Sequence, residues 1–66
     1  MTPAMAFTRL FHRPEADIVL AYLKRQTQER VLPPDATDAE LRFLEGQRAL
    51  FAKILFLIQQ GQNEGD

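Results

Sequence analysis

The chain has no cysteine, no tryptophan and no serine, one histidine and one tyrosine in 66 residues. Without cysteine there is no disulfide framework and no thiolate metal site. A lone His12 cannot build a zinc site by itself. Hydroxyl nucleophiles are confined to Thr2, Thr8, Thr27 and Thr37. His12 sits between Arg9 and Arg13 and reads as a surface residue. The carboxylates fall on caps and exposed helix positions, without the clefted pairing that acid–base catalysis needs. Glycine-rich phosphate loops and metal-ligand clusters are missing as well. These absences point away from an enzyme and from any cofactor or metal.

The length imposes a second limit. A domain this small buries only about 60% of the surface its unfolded chain exposes. Its core rarely supplies more than about 3–5 kcal/mol without disulfides, metal or oligomerisation. A stable fold therefore calls for company.

Nine acids stand against eight bases, a formal net charge of −1. That balance argues against a nucleic-acid binder, which depends on clustered Lys and Arg to neutralise phosphates. The charge is nonetheless uneven: residues 1–30 carry +2 and residues 31–66 carry −3. Opposite-signed segments suit helices that pair with each other or with copies of themselves. The longest apolar run, residues 49–58, is ten residues long and interrupted by Lys53. A membrane span needs about 17–25 residues, and the residues ahead of Arg9, Pro3 among them, do not read as a signal sequence. The chain reads as soluble and intracellular, with no membrane partner.

Four prolines and three glycines divide the sequence. Phe7, Leu10 and Phe11 fall at i, i+3, i+4, which predicts a short helix ending before Pro14. Pro14 also suits the start of a second helix, with Glu15 and Asp17 near the positive end of its dipole. That helix is predicted to run to about Glu29 with an apolar stripe of Ile18, Val19, Tyr22 and Leu23, continued by Gln26. Residues 31–35, with Pro33 and Pro34 adjacent, form a stiff connector. Thr37 and Glu40 then make a capping-box pattern. A third helix follows from Asp38 to about Gln60, closed by Gly61 as a left-handed cap. The expected fold is all-α, a short N-terminal helix followed by an antiparallel helical hairpin. It comprises a single domain over residues 1–61 and a polar tail over 62–66.

At 100° per residue, Leu41, Leu44, Phe51, Leu55 and Ile58 lie along one line of the third helix and should face the second. Phe43, Leu50, Ile54 and Leu57 form another stripe, and Ala49, Ala52 and Phe56 lie on the other side. A helix apolar on nearly all sides needs more cover than one short partner provides. Phe43, Leu50, Phe56 and Leu57 are therefore candidate anchors of a contact surface. Arg48 lies about 40° from the centre of the line, where an apolar residue would be expected. A buried guanidinium there needs a carboxylate or a carbonyl, with Glu45, Glu15 or Asp17 in reach, unless it reaches water past its own stem. Gly46 costs about 1 kcal/mol inside a helix relative to Ala, which suggests a close neighbour. Glu45, Gly46, Gln47 and Arg48 thus read as a polar recognition feature in mid-helix.

Phe7 and Phe11 four apart, Val19-Leu20 in an amphipathic helix, a proline-bearing linker, and Leu41-Arg42-Phe43-Leu44-Glu45-Gly46-Gln47-Arg48 entering an apolar helix resemble a family of small tailed-bacteriophage proteins. Their shared mark is a Glu-Gly-Gln-Arg segment near the start of the last helix. The resemblance covers residues 6–61. Some members carry glycine near position 16, where this chain has Ala16, which puts the helix contact there in question. The resemblance implies a protein encoded among head and tail assembly genes, with no defined enzymatic role and no catalytic residues to carry over.

Together these readings give an accessory structural or assembly protein of a phage particle. Its expected partner is a larger phage structural protein (portal, head or tail, with the portal and head–tail region preferred), itself, or both. Its expected location is the virion, with the host cytoplasm during assembly. The alternative is a small helical adaptor or inhibitor of a host or phage enzyme, docking helix-in-groove. A DNA-binding hairpin using Arg9, Arg13, Arg25 and Arg30 is a third reading, disfavoured by the charge balance.

Overall fold

The computed structural model describes residues 1–64 and contains three helices: α1 (Pro3–Leu10), α2 (Glu15–Gln26) and α3 (Asp38–Glu64). No strand occurs among the described residues, and the all-α architecture, a short helix followed by a helical hairpin, is as the punctuation predicts. None of the described helices is long and apolar enough to cross a membrane.

Local chemistry accounts for the helix starts. Thr2 caps α1, its Oγ1 accepting from the Met5 amide at 3.2 Å, and Pro3 occupies the first helical position. There its fixed φ suits the helix and its missing N–H is no loss. Glu15 and Asp17 stand in the first turn of α2. Thr37 caps α3, accepting from the Glu40 amide at 3.1 Å. The Glu40 carboxylate reaches back to the Thr37 hydroxyl, at 3.2 Å, rather than to its amide.

The helix ends differ from expectation at two places. α2 stops at Gln26, three residues early. Thr27 leaves the helical conformation (φ −123°, ψ −76°), its hydroxyl donates to the Leu23 carbonyl at 2.7 Å, and the Glu29 amide turns back to the Lys24 carbonyl. α3 does not stop at Gly61. It continues to Glu64, so residues 62–64 of the expected tail are helical, while 65 and 66 lie outside the described residues.

Gly61 has a different task from the left-handed cap predicted for it. No glycine among the described residues has positive φ, and Gly61 is buried where α1 crosses α3. A Cβ built on Gly61 would overlap Thr8 Oγ1 and the Ala4 carbonyl. The absent side chain lets the two backbones approach. The Thr8 hydroxyl then donates to the Ile58 carbonyl at 2.6 Å, and the Thr2 hydroxyl to the Glu64 carboxylate at 2.8 Å. The order Thr2–Glu64, Ala4–Gly61, Thr8–Ile58 sets α1 antiparallel to α3. Phe7 and Phe11 stack with ring centroids 6.2 Å apart, while Leu10 faces out.

The line of α3 turned inward is Leu44, Gln47, Phe51, Ile54, Ile58 and Gly61, alternating three and four residues apart like a heptad seam. Leu44, Phe51 and Ile58 match the predicted line. Leu41 and Leu55 do not, and are 46% and 42% exposed. On α2 the inward line is Ala16, Leu20, Leu23 and Thr27. Ile18, Val19 and Tyr22, expected in the core, are exposed. Ala16, near which some members of the resembled family carry glycine, is buried.

The result is a flat plank, 47 × 21 × 13 Å across its Cα atoms, with α1 and α2 laid along one side of α3. Among the described residues the buried apolar set is only Ala4, Ala16, Leu44 and Phe51. The accessible surface is 5299 Å². A compact monomer of 7.6 kDa exposes about 4,300 Å², about 1,000 Å² less. The radius of gyration is 14.3 Å, against about 11 Å for a compact chain of this length.

The two helical glycines give opposite expectations. Gly61→Ala forces α1 off α3 and should destabilise by about 1–3 kcal/mol in urea unfolding. Gly46 has nothing within 4 Å of a built Cβ, so Gly46→Ala should stabilise by about 1 kcal/mol. Shifts of the same sign at both positions would contradict the assignment.

Candidate functional site

The Glu45–Arg48 segment lies in the first half of α3, where α2 ends and the linker begins. Arg48 is held there by three bonds of its guanidinium. Nε donates to the Thr27 carbonyl at 2.9 Å, Nη2 to the Arg30 carbonyl at 2.7 Å, and Nη1 to Glu45 Oε1 at 3.1 Å. The Gln28 amide returns a longer bond to the Arg48 carbonyl, 3.3 Å. The end of a helix leaves carbonyls without intrahelical partners, and a positive charge there also meets the negative end of the dipole. Arg48 meets both needs at the end of α2 and ties the following loop to α3. Of the partners open to it in the sequence, carbonyls and Glu45 take the guanidinium.

The other members of the segment divide. Glu45 is exposed and bonded to Arg48. Gly46 faces open space, and the close neighbour its cost suggested is not found among the described residues. Gln47 turns toward α2, and its Oε1 is buried with no hydrogen-bond partner. An acceptor in that state costs about 1–3 kcal/mol of desolvation.

Gln47 stands in an open groove between α2 and α3. Tyr22, Leu23 and Gln26 form one wall, Leu50 and Ile54 the other, and Phe51 the floor, with no charged residue among them. A second hollow lies beneath the linker, where Leu32 and Pro33 fold back over Leu41 and Leu44. Among the described residues no three of His, Asp and Glu gather where they could share a metal ion.

The four candidate anchors do not form one patch. Phe43 and Leu50 are 68% and 61% exposed and, seven residues apart, lie on the groove side of α3. Leu57 continues that row half-buried. Phe56, 64% exposed, lies about 100–140° around the helix from them, beside Gln59, Gln60 and Asn63. The sequence reading missed Ala4, Thr8 and Thr27, although small residues four apart in α1 were a legible sign of a close crossing.

Arg48→Met keeps much of the stem's packing, leaves the Arg30 carbonyl without its donor and leaves the Thr27 carbonyl with only the Arg30 amide at 3.4 Å. It should lower stability by about 2 kcal/mol in urea unfolding. Glu45→Gln, at a mostly exposed pair, should change it by less than about 0.5 kcal/mol. A more stable Arg48→Met protein would show that the guanidinium does not hold the end of α2.

No curated protein and no solved structure matches the chain. The family match, by contrast, spans all of α2, the linker and α3, and begins within α1. Residues 7–64 match the family described as Bbp19-like phage protein, and the chain belongs to that family.

Proposed function

We propose that this phage protein is a non-catalytic accessory component of a tailed-phage particle, or of its assembly, that docks on repeated sites of a larger particle protein. The observation that carries the reading is the inversion of its apolar surface. Phe43, Leu50 and Phe56 are each more than three-fifths exposed, while the described core holds four apolar residues, two of them alanines. Exposed apolar area of this extent in so small a chain favours a contact surface. Aromatic side chains are common anchors at the centres of such surfaces. A flat, elongated plank also suits a gap between larger subunits, and a symmetric particle offers the same gap many times. The portal and head–tail region is the preferred place, and the host cytoplasm holds the protein before assembly. Phe56, set apart from the α2–α3 groove, is the anchor assigned to the larger protein. Gln47 and Leu57 lie on the groove side of α3, whereas Glu45 is about 20° around the helix from Phe56.

Mass spectrometry of washed particles tests the reading. The protein should be present at constant copy number, and Phe56→Glu should lower its incorporation at least about tenfold without loss of helix content. Absence from both washed particles and assembly intermediates would overturn the proposal.

A further inference from the structure

We infer that α2 is a strap that lifts from α3 as a unit while α1 stays in place, held shut by Arg48 and pushed open by Gln47. The motion is separate from the proposed docking role and does not depend on it.

The two short helices are fastened to α3 in different ways. α1 meets it backbone to backbone at Gly61, and hydrogen bonds from Thr2 and Thr8 span the crossing. α2 approaches α3 less closely. Among the described residues, the hydrogen bonds that join its side of the fold to α3 gather past its end, at Thr27, Gln28 and Arg30. All of them involve Arg48. Within the helix only Ala16 is buried, and an open groove of about 370 Å³ separates Tyr22, Leu23 and Gln26 from Leu50 and Ile54. A segment with few buried apolar contacts opens at lower free energy than the rest of its fold. α2 is thus tied at one end and little held elsewhere.

Gln47 works against the tie. It lines the groove beside Leu23, Gln26 and Thr27, and its Oε1 is covered by the chain's own atoms with no hydrogen-bond partner. Water satisfies that oxygen once α2 moves away, so the closed arrangement carries a penalty that the open one does not. Arg48, its neighbour in sequence, favours the closed arrangement through the Thr27 and Arg30 carbonyls. Adjacent residues of one helix therefore bias α2 in opposite directions.

The connectivity lets α2 open without undoing α1. Residues 11–37 then form one loop between α1 and α3, and the entropy of closing a loop grows only with the logarithm of its length. A twelve-residue helix off its support is marginal in water, so α2 unravels as it lifts and its amides exchange. Opening also uncovers Phe51, the floor of the groove and one of the two large buried apolar side chains.

Native-state hydrogen exchange of the full chain, resolved by residue, tests the inference. Corrected for intrinsic rates, wild-type amides of residues 19–26 should exchange at least about tenfold faster than those of residues 7–10, with a shallower dependence on urea. Gln47→Met, which keeps the length of the side chain and removes the unpaired oxygen, should slow exchange in α2 at least about threefold. Gln47→Leu should act in the same direction and serves if methionine disturbs the packing. Arg48→Lys, which keeps the charge and loses the planar fork, should speed exchange in α2 at least about fivefold. A single rate and a single urea dependence for α1 and α2 would overturn the inference. So would exchange in α2 that neither Gln47 variant slows, or that Arg48→Lys leaves unchanged.

Discussion

A 27-residue helix is about 40 Å long, and the remaining described residues supply only an eight-residue helix, a twelve-residue helix and a proline-stiffened linker to cover it. Almost every feature of the molecule follows from that mismatch. α1 and α2 lie end to end along one side of α3, so its inward seam is covered and its flanks are not. Leu44 and Phe51 are the only large apolar side chains buried among the described residues, and neither is wholly out of contact with solvent. Burial of hydrocarbon, in most proteins the strongest force favouring the folded state, is correspondingly weak here.

Two local devices hold the layer together. At one end, the missing side chain of Gly61 admits the backbone of α1, and the Thr8 and Thr2 hydroxyls bond to α3 across the crossing. Near the other end, Arg48 gathers the Thr27 carbonyl just past α2, the Arg30 carbonyl and the Glu45 carboxylate on one guanidinium. Glycine at one crossing and arginine at the other do opposite kinds of work. One removes atoms so that helices touch. The other adds donors so that a helix further off is still bound. The Glu45–Arg48 segment thereby gains a physical meaning, with Arg48 and Glu45 fixing the end of α2 and Gln47 lining the groove.

Helix positions were largely legible in the sequence because prolines and caps act locally. Pro14, the Pro33-Pro34 pair and the Thr37–Glu40 box mark the boundaries without reference to anything distant. Which face of each helix turned inward was less legible. Leu41 and Leu55 fit the helical wheel as well as Gln47 and Ile54 do. The choice between them was made by small residues, since Ala4, Ala16 and Gly61 permit close approach and hydropathy gives them little weight. Ile18, Val19 and Tyr22 failed for the same reason: the burying side of α2 is set by Ala16 and Thr27. Gly61 was misread because a glycine near the end of an apolar run serves equally as a cap or as a crossing point. Only the partner helix distinguishes the two. In the candidate site, the sequence marked Arg48 as anomalous and named the groups that could hold it. The split of Phe56 from Phe43 and Leu50 became informative once α2 was in place beside one row and not the other.

The account holds that two local fastenings, rather than buried hydrocarbon, keep α1 and α2 on α3. Native-state amide exchange on the wild type and on Arg48→Met measures this directly. The account predicts that Arg48→Met exchanges faster in α2 while α1 keeps its protection. Equal loss of protection in both helices, or in neither, would contradict it.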